Sequence, residues 1–114
     1  MTTNDSITWA DFEKVEIRTG TIIAAEAFPQ ARKPAYKLTI DFGQLGTKRT
    51  SAQLTKLYQV HELVGKQVVA VVNFPPKQIA TFMSECLVLG AVADDGAVTL
   101  LQTERLTENG LRIA

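Results

Sequence analysis

Two apolar runs, Val68–Val72 and Leu87–Val92, constrain this chain most. Each is rich in β-branched residues and far too short to span a membrane, so both read as buried strands. They enclose Asn73–Ser84, a loop carrying Phe74, Pro75, Pro76, Lys77, Phe82 and Met83. A rigid scaffold that presents a loop of apolar side chains, prolines and a lysine is a usual place for binding. The loop Asn73–Ser84 is therefore the first candidate for recognition.

The rest of the chain supplies further strands. Val15–Phe28 reads as one long strand in which Val15 and Ile17 alternate with Glu16 and Arg18, and Gly20 marks a bulge or a sharp coil. Ala35–Phe42 alternates cleanly, with Tyr36, Leu38, Ile40 and Phe42 on one face and Lys37, Thr39 and Asp41 on the other. Gly43 and Gly46 turn the chain into Thr47–Ala52, a short polar strand. Leu54, Leu57 and Tyr58 have the spacing of a short helix, and Glu62–Gly65 reads as a last turn closed by glycine. Asp94-Asp95-Gly96 predicts a hairpin linking Leu87–Ala93 to Ala97–Gln102, and Glu108-Asn109-Gly110 a second turn before Leu111–Ile113. At the start, Met1–Asp5 is expected to fray. Thr8 and Asp11 have the spacing of a helix cap. Trp9 and Phe12 then share one surface, which either staples the terminus or meets a partner chain. The sum is a mainly all-β chain. It has five or more strands, a short helix between the third and fourth major ones, and extensions at both ends. That is the order of a five-stranded Greek-key barrel of the OB type, and 114 residues fit one domain.

Charge and chemistry narrow the function. The net charge is zero, but Arg32–Lys77 carries eight Lys and Arg against Asp41 and Glu62, and the flanks are acidic by the same margin. A basic centre attracts phosphates even in a neutral molecule, although the same residues also serve to solvate strand edges and turns. No glycine-rich phosphate loop is present. His61 and Cys86 are the only histidine and cysteine, so no zinc set and no nucleophilic dyad can be assembled, and Cys86 reads as an inert core thiol. We expect no enzyme activity, no cofactor and no metal. The first residues lack a charged and apolar leader, so the expected location is cytoplasmic.

The stretches VEIRTGTI (Val15–Ile22), SAQLTKLY (Ser51–Tyr58), LVGKQVVAVVNFPPKQI (Leu63–Ile79) and SECLVLGAV (Ser84–Val92) occur in this order. Together they resemble the tRNA-binding-domain family, OB-fold modules related to the C-terminal domain of methionyl-tRNA synthetase. Within it, the combination is similar to the CsaA-type secretion chaperones. The resemblance covers nearly the whole chain after Asp11. It implies a homodimer assembled through elements outside the barrel, and two kinds of partner besides: unfolded or export-bound polypeptides with the protein-export machinery, or tRNA. The chain departs from the wider family in three places. A second basic residue is missing from Asn73-Phe74-Pro75-Pro76-Lys77, Cys86 and Leu87 replace Gly and Met, and no glycine lies between Lys77 and Ser84.

The two functions use different residues. For polypeptide, Phe74, Pro75, Phe82 and Met83 supply apolar surface; Phe82 and Met83 fit a core position equally well. For RNA, Arg32, Lys33, Lys48, Arg49 and Lys77 would meet phosphates, and Asn73 and Ser84 would add hydrogen bonds. Tyr36 or Phe74 could stack on a base, though Tyr36 shares a face with Leu38 and Ile40 and is more at home in the core. A dimer would bury Trp9, Phe12, Leu106, Leu111 and Ile113.

Overall fold

The longest strand of the computed structural model, β1 (Ile17–Ala27), serves two partners in succession. Its first half pairs antiparallel with β4 (Gln67–Val71), from Ile17 opposite Val71 to Thr21 opposite Gln67. Its second half pairs with β2 (Tyr36–Asp41), and the register shifts between Ile22 and Ala24. A strand shared in this way must bend sharply, and two features permit it. The bulge at Ile23 adds local twist. At Gly20 the chain passes so close to the core that a Cβ would lie 2.7 Å from both Ile40 and Phe42 side-chain carbons. The expected interruption is present, with the close approach at Gly20 and the bulge three residues later.

β3 (Thr47–Ala52) pairs with β2 in continuous register, and β7 (Leu87–Val88) with β4, giving the order β3-β2-β1-β4-β7. The sheet curls until its ends meet. The Glu85 N–H donates to Arg49 O at 2.8 Å, the Arg49 N–H to Glu85 Oε1 at 2.8 Å, and the Thr50 hydroxyl to Cys86 O at 2.6 Å. The result is a nearly closed five-stranded antiparallel barrel of the OB type. Ile22, Leu38, Ile40, Phe42, Leu63, Val68, Ala70 and Val72 fill it. The structure describes residues 5–114; of the stretch expected to fray, residues 1–4 lie outside the described residues.

The outer face of β4 is covered as well, by the C-terminal extension. The Gln67 carboxamide donates to Thr107 O at 2.8 Å and accepts from the Thr107 N–H at 3.1 Å. Thr19 bonds Glu108 O and the Leu111 N–H. The backbone of Gly110–Ile113 runs along the part of β1 that β2 does not reach. Every residue of β4 is therefore buried, which explains its unbroken apolar reading.

Three local expectations are corrected. Leu54–Tyr58 forms one turn, closed by the Tyr58 N–H on Leu54 O at 3.2 Å, and the helix α2 follows at Val60–Leu63. Only Leu54 of the spaced trio is buried; Tyr58 is half-buried, its carbonyl held at 2.8 Å by the Tyr36 hydroxyl, and Leu57 is exposed. Leu87–Val92 is two strands: after β7 the chain leaves β4, and β8 (Gly90–Val92) pairs with β9 (Val98–Leu100) around the expected Asp94–Gly96 turn. The Asn73–Ser84 loop contains its own hairpin, β5 (Lys77–Ile79) and β6 (Phe82–Ser84), whose turn sets Ala80 at φ 53°. Among the described residues no helix is long and apolar enough to cross a membrane.

Candidate binding face of the barrel

Strand alternation decides which basic side chains act together. Lys37 stands opposite Ser51, and Thr39 opposite Arg49, on the outward face of β2 and β3. The loop after Phe28 and the β5–β6 hairpin flank this face. Phe28 and Phe82 lie between them, both buried, with ring centroids 5.4 Å apart and planes at 61°, an edge-to-face pair. Two cations cover the pair. Lys37 Nζ is 4.8 Å from the Phe28 centroid and 5.4 Å from that of Phe82, and Arg49 Cζ is 4.5 Å above Phe82. Contacts of this kind contribute about 0.5–1 kcal/mol each at exposed sites. Glu26 faces Lys37 across the register but forms no ion pair with it. The only ion pairs among the described residues are Arg18–Glu16 and Arg105–Glu104, so neither Lys37 nor Arg49 is paired with a carboxylate there.

Lys48 is separated from Arg49 by the same rule. It is paired with Ile40 and shares the inward side of β3 with Thr50. Its charge is felt at Cys86, whose thiol burial pushes up to about 11 against the smaller opposing effects of the Thr50 hydrogen bond and Lys48. Desolvation wins, and Cys86 is the buried core thiol its sequence context indicated.

The other expected RNA contacts are scattered. Arg32 and Lys33 lie on the exposed loop before β2, where Arg32 joins Phe28, Pro34, Tyr36 and Thr55 around a shallow cleft of about 330 Å³. Lys77 opens β5 opposite Ser84. The Ser84 hydroxyl is spent on closure, shared with Thr50 Oγ1 at 3.0 Å and accepting from the Ser51 N–H at 3.3 Å. Asn73 is also engaged within the chain: it accepts from the Glu16 N–H at 3.0 Å and donates to Lys14 O at 2.7 Å.

Of the apolar four, Phe74 (53% exposed), Pro75 and Met83 (46%) are at the surface. Phe82 is not; it is 4% exposed because successive residues of β6 point to opposite sides. It supports the cations rather than presenting its own ring. Trp9, 86% exposed, and Phe12, half-buried, belong to α1 (Trp9–Glu13), which Thr8 and Asp11 cap reciprocally as expected. With Arg112 and Ala114 they line an open cleft of about 490 Å³. Leu111 and Ile113 flank Arg112 on the extension. Leu106, 84% exposed, lies at its other end, beside the Gln67 contacts. Lys37 and Phe28 are members of the face that residue type and spacing did not single out. The signal was available, since Lys37 stands on the polar side of the best alternating strand.

A family model described as "Putative tRNA binding domain" matches residues 17–112. The methionine–tRNA ligase of Methanococcoides burtonii is 39% identical over 107 residues, 93% of this chain and 15% of the ligase. That of Methanocaldococcus jannaschii is 31% identical over 101 residues. The chain spans about 15% of the length of the curated relatives it matches. Solved structures align over far more of their length. The chaperone CsaA of Bacillus anthracis is 50% identical at a TM-score of 0.92, and the CsaA chaperone of Picrophilus torridus 53% at 0.89; each alignment covers 96% of this chain and 100% of the other.

Proposed function

Because the chain belongs to the tRNA-binding-domain family, we propose that it acts as an export-related chaperone, without catalysis of its own, binding unfolded or precursor polypeptides in the cytoplasm as a homodimer. One observation carries the reading: Phe74, Pro75 and Met83 lie exposed on the loop and hairpin beside the barrel face. Exposed aromatic and thioether side chains suit varied apolar partners, because Met adapts its shape and Phe contributes area. Each client side chain well buried there gains about 1.5–3 kcal/mol gross. Ordering a flexible client costs much of that, so a single site binds at roughly micromolar Kd. A dimer raises the apparent affinity if one client reaches both sites. The similarity to two chaperone structures over their full length supports the same reading. Trp9, Phe12, Leu106, Leu111 and Ile113 are the proposed dimer contacts, and light scattering at micromolar concentration tests them: a monomer refutes the dimer.

The client site is tested with a permanently unfolded, carboxymethylated polypeptide followed by fluorescence anisotropy. Phe74→Ala combined with Met83→Ala should weaken binding at least tenfold, with little dependence on salt. Unchanged affinity would remove the loop from the client site.

A second reading, structure-selective tRNA binding, is favoured by Lys37 and Arg49, two cations without carboxylate partners above an aromatic pair. Arg32, Lys33 and Lys77 extend the basic surface along the flanking loops. An RNA backbone laid across β2 and β3 would meet these charges, and its affinity would fall steeply with salt.

A further inference from the structure

Asn73 stands at the root of the Phe74–Pro76 loop, where an RNA contact was expected. Its carboxamide instead ties down the segment that joins α1 to β1. Oδ1 accepts from the Glu16 N–H at 3.0 Å and Nδ2 donates to Lys14 O at 2.7 Å. The Val72 N–H returns a bond to Glu16 O at 2.9 Å. The helix beyond Lys14 has little other anchorage. It is five residues long and none of them is buried. A helix that short has no stability of its own. Among the described residues, its remaining ties are the half-buried Phe12 ring and Arg112 Nη2, which donates to Glu13 O at 3.2 Å.

We propose that Asn73 is a positioning residue that couples the recognition loop to α1. Phe74 is its neighbour in the chain. A loop that shifts to admit a ligand side chain therefore moves the carboxamide that holds Lys14 and Glu16. Occupancy of the loop is felt at α1, and whatever covers α1 acts back on the loop by the same factor, since coupling between two sites is reciprocal. The bonds cross 57 and 59 residues of sequence. They join the Phe74 side of the molecule to Trp9, the only tryptophan, which makes α1 its own reporter. This rests on the loop being the client site, but the first arm of the test does not.

In the ligand-free protein, hydrogen exchange is measured for Asn73→Ala against the parent. The amide of Glu16 on one side, which loses its bond to Asn73, and that of Val72 on the other, whose N–H bonds Glu16 O at the root of the loop, should both accelerate about tenfold. Exchange at Val68 and Ala70 should be unchanged, showing that the barrel is intact. Acceleration on one side alone overturns the coupling, whatever the protein binds. In the second arm, the carboxymethylated polypeptide should shift Trp9 emission in the parent and not in Asn73→Ala, while anisotropy still reports binding to both. A Trp9 shift that survives in Asn73→Ala refutes the route through Asn73. Failure of the polypeptide to bind the parent refutes the client reading, and hydrogen exchange alone then upholds or overturns the coupling.

Discussion

Phe82→Ala separates a residue that supports the binding face from one that forms it. The ring is 4% exposed, packs edge-to-face on Phe28 at 5.4 Å, and carries Arg49 and Lys37 above it. Removing a buried Phe side chain costs about 3–5 kcal/mol through lost burial and the cavity left behind. The lower end applies here. The roof of the cavity is made of long flexible side chains that can sink into it, and both cations remain able to reach water. A loss of about 3 kcal/mol at some 4 °C per kcal/mol lowers Tm by roughly 12 °C. Phe82→Leu keeps most of the volume and should cost about 1–2 kcal/mol. Urea unfolding followed by far-UV circular dichroism at one fixed protein concentration measures both, because the proposed dimer would make stability depend on concentration. Well below the transition, Phe82→Leu should bind unfolded polypeptide within twofold of the parent. A loss under about 1 kcal/mol for Phe82→Ala would refute the claim that the hairpin is anchored through this ring.

Three further outcomes are expected. Ala80 turns the β5–β6 hairpin at φ 53°, a left-handed conformation that costs an L side chain about 1–2 kcal/mol, so Ala80→Gly should raise the urea midpoint by up to about 1 kcal/mol of stability. Cys86 should resist alkylation at pH 8 until the chain unfolds. Burial raises its folded pKa from 9.0 to about 11, so the unfolded chain loses this proton first; stability should be unaffected below pH 9 and fall by about 1.4 kcal/mol per pH unit between the two values. If Cys86→Ala leaves that alkaline slope unchanged, the thiol is not its source. Lys37→Ala with Arg49→Ala should flatten the slope of log affinity for tRNA against log salt by about 1.5–2, whereas Lys48→Ala should change it by less than half a unit; equal effects would place all three on one surface.

The fold was more legible than the site because the two depend on different information. Alternation in Ala35–Phe42, the apolar run of β4 and the Asp94–Gly96 turn are local patterns, and each survives in the structure with small shifts of boundary. The errors arise where tertiary pairing overrides local spacing. Leu54, Leu57 and Tyr58 have a helical period, yet a hydroxyl from β2 fixes them as a turn. Leu87–Val92 is continuous in hydropathy but changes partner at Leu89, which bonds Val69 before the chain turns away to β9. In the sequence, the candidate binding residues between Arg32 and Ser84 stand out by chemical type. Type alone does not say that Ser84 and Asn73 are consumed by barrel closure and by the α1 linker. Those bonds join residues 33 and 57 positions apart.

Lys37, Lys48 and Arg49 show how far parity alone would have carried the assignment. Once Thr47–Ala52 is accepted as a strand beside Ala35–Phe42, adjacent side chains on it must point to opposite sides. Lys48 and Arg49 therefore cannot share a face, and the partner of Arg49 must come from the polar side of the neighbouring strand, where Lys37 is the only cation. What parity could not supply is the floor beneath them. Phe28 and Phe82 are 54 positions apart, and only closure of the barrel through Glu85 and Thr50 brings the β5–β6 hairpin against the end of β1. The two unpaired cations and the exposed Met83 flank that floor on opposite sides of β6. The proposed phosphate contacts and the proposed apolar contact thus lie at one short strand, so an RNA and an unfolded polypeptide that each reach across it should compete for this protein, and simultaneous binding of both would show that the two ligands use separate surfaces.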